Sequence, residues 1–279
     1  MILIRPCEGF EELQACVRMQ IETWGYEAND VLPRKMYLLA QKIGGQVIGA
    51  FDTTLDSERD AVVADESARH GGPESMVGFL LALPGAKTQT GPATPYLHSH
   101  MLAVLENYRN RGLGAQLKRR QRLDALARGI GLVEWTFDPL EIKNAYLNIH
   151  KLGAIVRRYE VDFYGVSSSR LQGGLPTDRL VAEWRLDSPR VEAALAGKTL
   201  EIKVVEKIVV PSSIYAWKAS EEDRERALAV QLENRRKLIQ AFSQGLAVAG
   251  YECDSAGNGI FQLTEVSSIH NIDPGELSS

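Results

Sequence analysis

Two histidines and two glycines are the residues of this chain whose types and spacing could do chemistry. His98 and His100 lie two apart in the apolar run "YLHSHMLAVL" (96 to 105), so an extended strand projects both from one face. Imidazole titrates nearest neutral pH, where it can take a proton from an attacking nucleophile. Downstream, in "YRNRGLGAQL" (108 to 117), Arg109 and Arg111 precede Gly112 and Gly114, and a helix-prone run follows. Glycines let backbone N–H groups approach a phosphate closely, and the start of a following helix adds unpaired donors and a positive dipole end. The same residues also make an ordinary tight turn, and spacing alone leaves the two readings level. Two phosphate loops are excluded. Leu117 stands where a dinucleotide-binding Gly-x-Gly-x-x-Gly needs its third glycine, and no Gly-Lys-Ser/Thr follows.

The elements that must position these residues can be read from periodicity and breakers. "MILIRP" is a strand ended by Pro6, and Leu13, Val17 and Ile21 mark one face of a helix from Glu11 to Trp24. "VIGAFD" is a strand after the Gly44-Gly45 turn, and residues 52 to 74 read as a polar loop with a short helix. "MVGFLLALPG" is a strand closed by Pro84-Gly85, followed by the histidine strand and a helix to Ala127. "LVEWTF" (132 to 137) is a buried strand, "LEIKNAYLNIHKLGA" a short helix stopped by Gly153, and "IVRRYEVDFYG" another strand. After Gly165 come a small-residue connector and strands at "LVAEWRL" and "LEIKVVEKIVV". A long helix then starts near Ser220 and Asp223, with Leu228, Leu232, Arg235, Ile239 and Phe242 on one face. "GIFQLTEV" is the last strand and "NIDPGELSS" a frayed tail.

The alternation of strands and helices over the first 165 residues predicts an α/β or α+β unit. The chain has 279 residues, a 44% apolar fraction and a 24% charged fraction, which suit a soluble globular protein with a proper core. A formal charge of −4 does not suit a nucleic-acid binder, and no apolar run approaches the roughly 18 residues that span a bilayer. Cys7, Cys16 and Cys253 are scattered, and the five histidines show no metal-ligand spacing, so no metal is expected. A reduced, cytoplasmic setting follows, with Cys7 and Cys16 as buried small hydrophobes.

Arg109-Asn110-Arg111-Gly112-Leu113-Gly114 fits an Arg/Gln-x-x-Gly-x-Gly/Ala signature. With the flanking "VLENYRNRGLGAQL" and the later "NAYLNIHKLGA", where Ala145, Lys151 and Gly153 match, residues 1 to 165 resemble the GNAT superfamily of acyl-CoA-dependent N-acetyltransferases. Residues 166 to 279 look like a C-terminal extension seen in some bacterial members.

The resemblance implies a GNAT-like mixed, splayed central sheet flanked by helices, with a β-α-β extension that packs on the core. That extension would serve the acceptor pocket or a homodimer interface. It implies acetyl-CoA, or another acyl-CoA, as cosubstrate and an amine of a small molecule or peptide as acceptor. The backbone at Leu102, Ala103 and Val104 would pair with the pantetheine arm, in a gap facing residues 135–137. An N–H near Val104 would polarise the thioester carbonyl. The amides of the loop, with Arg109, Asn110, Arg111, Gly112, Leu113, Gly114 and Ala115, would hold the pyrophosphate.

His100 is the candidate base. The family's acid is a tyrosine at the position of Ile149, a departure here, and Tyr146, one turn earlier, could replace it. Asn144 is a further cofactor contact. Trp24, Tyr26 and Tyr37 fall where such proteins shape the acceptor pocket, and packing is their other reading. Lys118, Arg119, Arg120 and Arg122 form a basic run that reads as a solvated helix face with cations available to the nucleotide 3′-phosphate. The alternative function is an acyl-CoA-binding or regulatory module without transferase activity.

Overall fold

A single carboxylate ties the first strand, β1 (Ile2–Pro6), to the first helix, α1 (Gly9–Trp24). Glu12 accepts both terminal nitrogens of Arg5, at 2.9 and 2.6 Å, and the Glu8 N–H at 2.7 Å, one of the donors that the helix start leaves unpaired. Gly25 ends α1 with a left-handed φ of 66° and an N–H bond to Ile21. The computed structural model describes residues 1–57, 72–88, 92–198 and 201–269. They form a mixed α/β fold in two compact units. One comprises Met1–Ala86, Pro95–Ile130 and Ser168–Arg170, the other Lys87–Thr94, Gly131–Ser167 and Leu171–Ser279.

After α1 the first unit continues with α2 (Arg34–Lys42), β2 (Gln46–Asp52), the single turn α3 (Thr54–Ser57), β3 (Met76–Lys87), β4 (Thr94–Val104) and α4 (Leu113–Ala127). Its strands lie in the order β1-β2-β3-β4, with β1–β2 and β2–β3 antiparallel. Adjacent residues of β2 define its faces. Gln46 donates to Gln121 and Asp124 of α4, whereas Val47 packs in a cluster with α1 and α2. On β3, a Cβ at Gly78 would meet Leu117 of α4, while Phe79 sits edge-on to Tyr37 of α2. So α4 covers one face and α1 with α2 the other.

Several expectations are corrected here. The buried face of α1 is Leu13, Cys16, Met19 and Gln20, while Ile21 is exposed. At 100° per residue a spacing of four drifts 40° per step, which carries Ile21 out of the core. Helix α2 was not anticipated. β3 runs on through Pro84 and Gly85 because its pairing with β2 already ends at Ala82, so the missing proline N–H breaks no bond there. The Tyr96 ring lies where a Cβ at Gly85 would stand, so a larger residue there would have to displace the ring. Of the polar stretch 52 to 74, residues 58–71 lie outside the described residues.

The second unit holds β5 (Leu132–Phe137), α5 (Ile142–Ala145), a π-helical segment (Tyr146–Lys151), β6 (Ile155–Glu160), β7 (Arg179–Arg185), α6 (Pro189–Leu195), β8 (Glu206–Val210), α7 (Ile214–Ala219), α8 (Arg224–Ser243), β9 (Leu246–Cys253) and β10 (Gly259–Glu265). Strand order is β5-β7-β6-β9-β10-β8, antiparallel at each pairing. Trp184 is fully buried, edge-on to Trp135 at 5.9 Å, and its indole N–H donates to Leu152 O at 2.7 Å. Glu134 and Glu183 stand directly opposite each other on β5 and β7, a like-charge pair that Lys87 (2.6 Å), Arg158 (2.8 Å) and Arg157 (2.5 Å) neutralise. Asp178 accepts two bonds from Arg235, each 2.8 Å, one from the Tyr159 hydroxyl at 2.5 Å and one from the Asp162 N–H at 3.0 Å.

The stretch after Gly165 holds more elements than a β-α-β reading, since α6, α7 and β9 join it. β6 ends at Glu160 because Asp162 turns left-handed, with φ 47°. The strand expected from 200 is formed only from Glu206, and residues 199–200 lie outside the described residues, as does the 271–279 tail. The buried face of α8 is Ala227, Gln231, Asn234, Leu238 and Ala241, one residue off the expected stripe, and Leu232 and Ile239 are exposed. Two amides explain the 100° rotation. Gln231 donates to Pro176 O and Asn234 to Val209 O, bonds that offset the burial of the two amide groups, while Gln231 Oε1 is left without a hydrogen-bond partner among the described residues.

Candidate functional site

The loop between β4 and α4 is built from its backbone. A 3₁₀ turn at Glu106–Tyr108 leads to Arg109, whose Nε donates back to Val104 O at 3.0 Å. Asn110 and Gly112 then take left-handed φ values of 60° and 77°. Alternation of handed backbone makes successive N–H groups converge into an anion-binding concavity. Gly112 is also the N-cap of α4, so the N–H groups of Leu113, Gly114 and Ala115 begin a 15-residue helix with no acidic residue in its first turn. A Cβ at Gly112 would meet nothing within 4 Å, so the space beside this residue is open.

The loop is anchored from below. The Tyr108 hydroxyl donates to Asp52 at 2.8 Å, and the Arg111 guanidinium lies 5.5 Å over the Tyr108 ring. Burial would raise the Asp52 carboxyl, but hydrogen bonds from Thr54 and Tyr108 outweigh it and hold the pKa at about 2. A cavity of about 210 Å³ beside the loop is lined by Ile2, Asp52, Tyr108, Arg111, Leu113 and Gln116, among others.

On β4, His98, His100, Leu102 and Val104 are half-buried, while Ser99, Met101 and Ala103 are buried. The two imidazoles are 6.3 Å apart between centroids. Burial first, then the charge of His98, pushes His100 down to about 4, so it is neutral at pH 7 and open to accept a proton. As pH falls, the unfolded chain takes this proton near 6.5 and the folded chain only near 4. The contribution is therefore full above 6.5 and lost as pH falls towards 4, by on the order of 3 kcal/mol at most. Urea unfolding of the wild type and His100→Asn from pH 7 to pH 4 checks it. The wild type is expected to lose more stability on acidification than the variant, and equal slopes would overturn the assignment.

Asn144 and Tyr146 lie in the second unit and His100 in the first. Ile149 is fully buried. In the wider π-helical turn Tyr146 shares its face with His150, stacked at 4.5 Å and 18°, instead of with Ile149. Asn144 is exposed and accepts a bond from Asn148 at 3.3 Å. Gly153 keeps its stop role, with φ 75° and a Cβ position already taken by Ala194.

Some candidates change character. Tyr37 is core: it has no exposure and its hydroxyl reaches Met101 Sδ at 3.6 Å. Trp24 and Tyr26 stack at 5.4 Å beside it. Lys118 is no phosphate cation but a buried amine that donates to Ser99 Oγ at 2.9 Å and Gln121 Oε1 at 3.1 Å. Burial drives its pKa well below that of an ordinary lysine. Sequence reasoning missed it because a lysine within a basic run looks solvated. Cys7 and Cys16 are buried as expected. Among the described residues no cluster of three His, Cys, Asp or Glu could hold a metal ion, and no helix is long and apolar enough to cross a membrane.

No protein-family model and no curated protein matches the chain. Among solved structures it is similar to the ribosomal-protein-S18-alanine N-acetyltransferase of Escherichia coli, with 12% identity over 67% of this chain and 96% of that one and a TM-score of 0.47. It is similar to NAA60 of Arabidopsis thaliana in complex with acetyl-CoA, with 13% identity over 66% and 99% and a TM-score of 0.47. It is also similar to an aminoglycoside 6'-acetyltransferase type Ii, with 15% identity over 67% and 98% and a TM-score of 0.46.

Proposed function

We propose that this chain is an acyl-CoA-dependent acyltransferase that moves an acetyl or other acyl group to an amine of a small molecule or peptide. The observation that carries the reading is the loop at 109–115. Two left-handed residues, a helix start without acids and open space at Gly112 fit a diphosphate, and the sequence around them is GNAT-like. Bound acyl-CoA supplies a thioester as the activated acyl donor. The loop amides hold its pyrophosphate, with Arg109 and Arg111 adding positive charge. The main chain of Leu102, Ala103 and Val104 pairs with the pantetheine arm, and an N–H near Val104 stabilises the charge that develops on the carbonyl oxygen. His100, neutral at pH 7, takes the proton from the amine. Tyr146 is our candidate for protonating the leaving thiolate, and Asn144 for a cofactor contact. Three free thiols fit a reducing, cytoplasmic setting.

A second reading, a non-catalytic acyl-CoA-binding module, is favoured by the buried Ile149 where the family places its acid. Release of free CoA thiol from acetyl-CoA across a panel of amines, amino acids and peptides separates the two. Turnover that His100→Ala lowers by roughly a hundredfold, with acetyl-CoA affinity retained, supports the enzyme. Tight binding without turnover on any amine supports the module, and no acetyl-CoA binding at all removes both.

A further inference from the structure

Side chains two apart on a regular strand share a face. Ser99 and Met101 do not. Ser99 Oγ receives a bond from Lys118 Nζ of α4 at 2.9 Å, whereas Met101 Sδ is met by the Tyr37 hydroxyl of α2 at 3.6 Å. These helices cover opposite faces of the first unit's strands, so the alternation of β4 breaks between Ser99 and Met101, at His100. Each side of the break has its own pin. Lys118 is 3% exposed and also donates to Gln121, which donates to Gln46 of β2 at 3.0 Å. Gln46 in turn reaches Asp124 at 2.6 Å, so the pin is the inner end of a polar chain that crosses the α4 interface. Tyr37 is wholly buried on the other side.

We propose that Lys118 is a positioning residue: by holding Ser99 against α4 while Tyr37 holds the far side, it fixes the break in β4. It thereby sets where the His100 imidazole and the Leu102–Val104 main chain stand. A lysine suits the task because its long stem spans the packed helix surface and its amine can serve Ser99 and Gln121 together. That both settings matter for acyl transfer rests on the acyl-CoA reading; the placement of His100 does not.

The test pairs imidazole NMR titration of His100 with acetyl-CoA binding by calorimetry, on wild type, Lys118→Met, Ser99→Ala and a Gln46→Leu control, with melting curves to confirm folding. The wild-type midpoint is expected at about 4. Lys118→Met and Ser99→Ala are expected to raise it by about one pH unit as the ring gains solvent, and to weaken acetyl-CoA binding by roughly tenfold. Gln46→Leu cuts the outer end of the same chain and is expected to leave the midpoint within about 0.3 pH unit and the affinity within about twofold. Should Lys118→Met fail to fold, Ser99→Ala carries the same test. Unchanged values in the folded variants, or equal changes in Gln46→Leu, would overturn the positioning role. A wild type that fails to bind acetyl-CoA would overturn the acyl-CoA reading instead, and the His100 midpoints would still decide the pin.

Discussion

A Gly112→Glu chain is expected to bind acetyl-CoA about a hundredfold more weakly than wild type, or not measurably, while remaining folded. The substitution acts twice. At a φ of 77° any L side chain is strained by about 1–2 kcal/mol. The added carboxylate then sits beside the unpaired amides of Leu113 to Ala115, where it takes the pyrophosphate's donors and repels its charge. A unit charge within about 4 Å of a like charge costs about 4 kcal/mol at an effective dielectric of 20, more than the hundredfold loss requires. Gly112→Ala separates the two effects. Its Cβ meets nothing within 4 Å, so only the backbone strain remains and affinity should fall by less than about tenfold. Calorimetry with acetyl-CoA reads both, and wild-type affinity in Gly112→Glu would remove the loop from the site.

The largest effect on stability is expected at Asp178→Ala. The carboxylate is fully buried, and its removal strands the Arg235 guanidinium, the Tyr159 hydroxyl and the Asp162 N–H together. Breaking a buried charge pair from one side costs about 3–5 kcal/mol, which corresponds to a melting temperature about 10 °C lower for a body of this size. The cost falls on the second unit, because all four residues belong to it. Glu233→Ala, at the exposed pair with Arg236 on the same helix, should leave melting unchanged. Equal melting of Asp178→Ala and wild type would mean that the site repacks around the loss.

What could be read beforehand follows from how local each signal is. The loop was legible because left-handed backbone at Gly112 and the following helix are decided within a few residues. β1, β2, β4, β5 and β10 were legible because an apolar run between breakers needs no distant partner to be recognised. Helix α8 was misread by one residue because Gln231 and Asn234 become core residues only once Pro176 and Val209 offer them carbonyls. β9 was passed over because four consecutive buried residues at its start, Leu246 to Ala249, carry no alternation. Tyr37 and Lys118 changed roles for the same reason. An aromatic near an expected pocket and a lysine among arginines give no sign of burial until the strands behind them are in place.

The order in which the chain delivers its strands has a consequence for synthesis. Most of the first unit is complete by Ile130, so its strands and helices can pair soon after they leave the ribosome. β6 must wait much longer, since Val156 takes its outer partner from Val248. During that interval β6 is an open edge, the kind that recruits strands from other molecules. β9, the strand that closes this edge, is the second to last to be made.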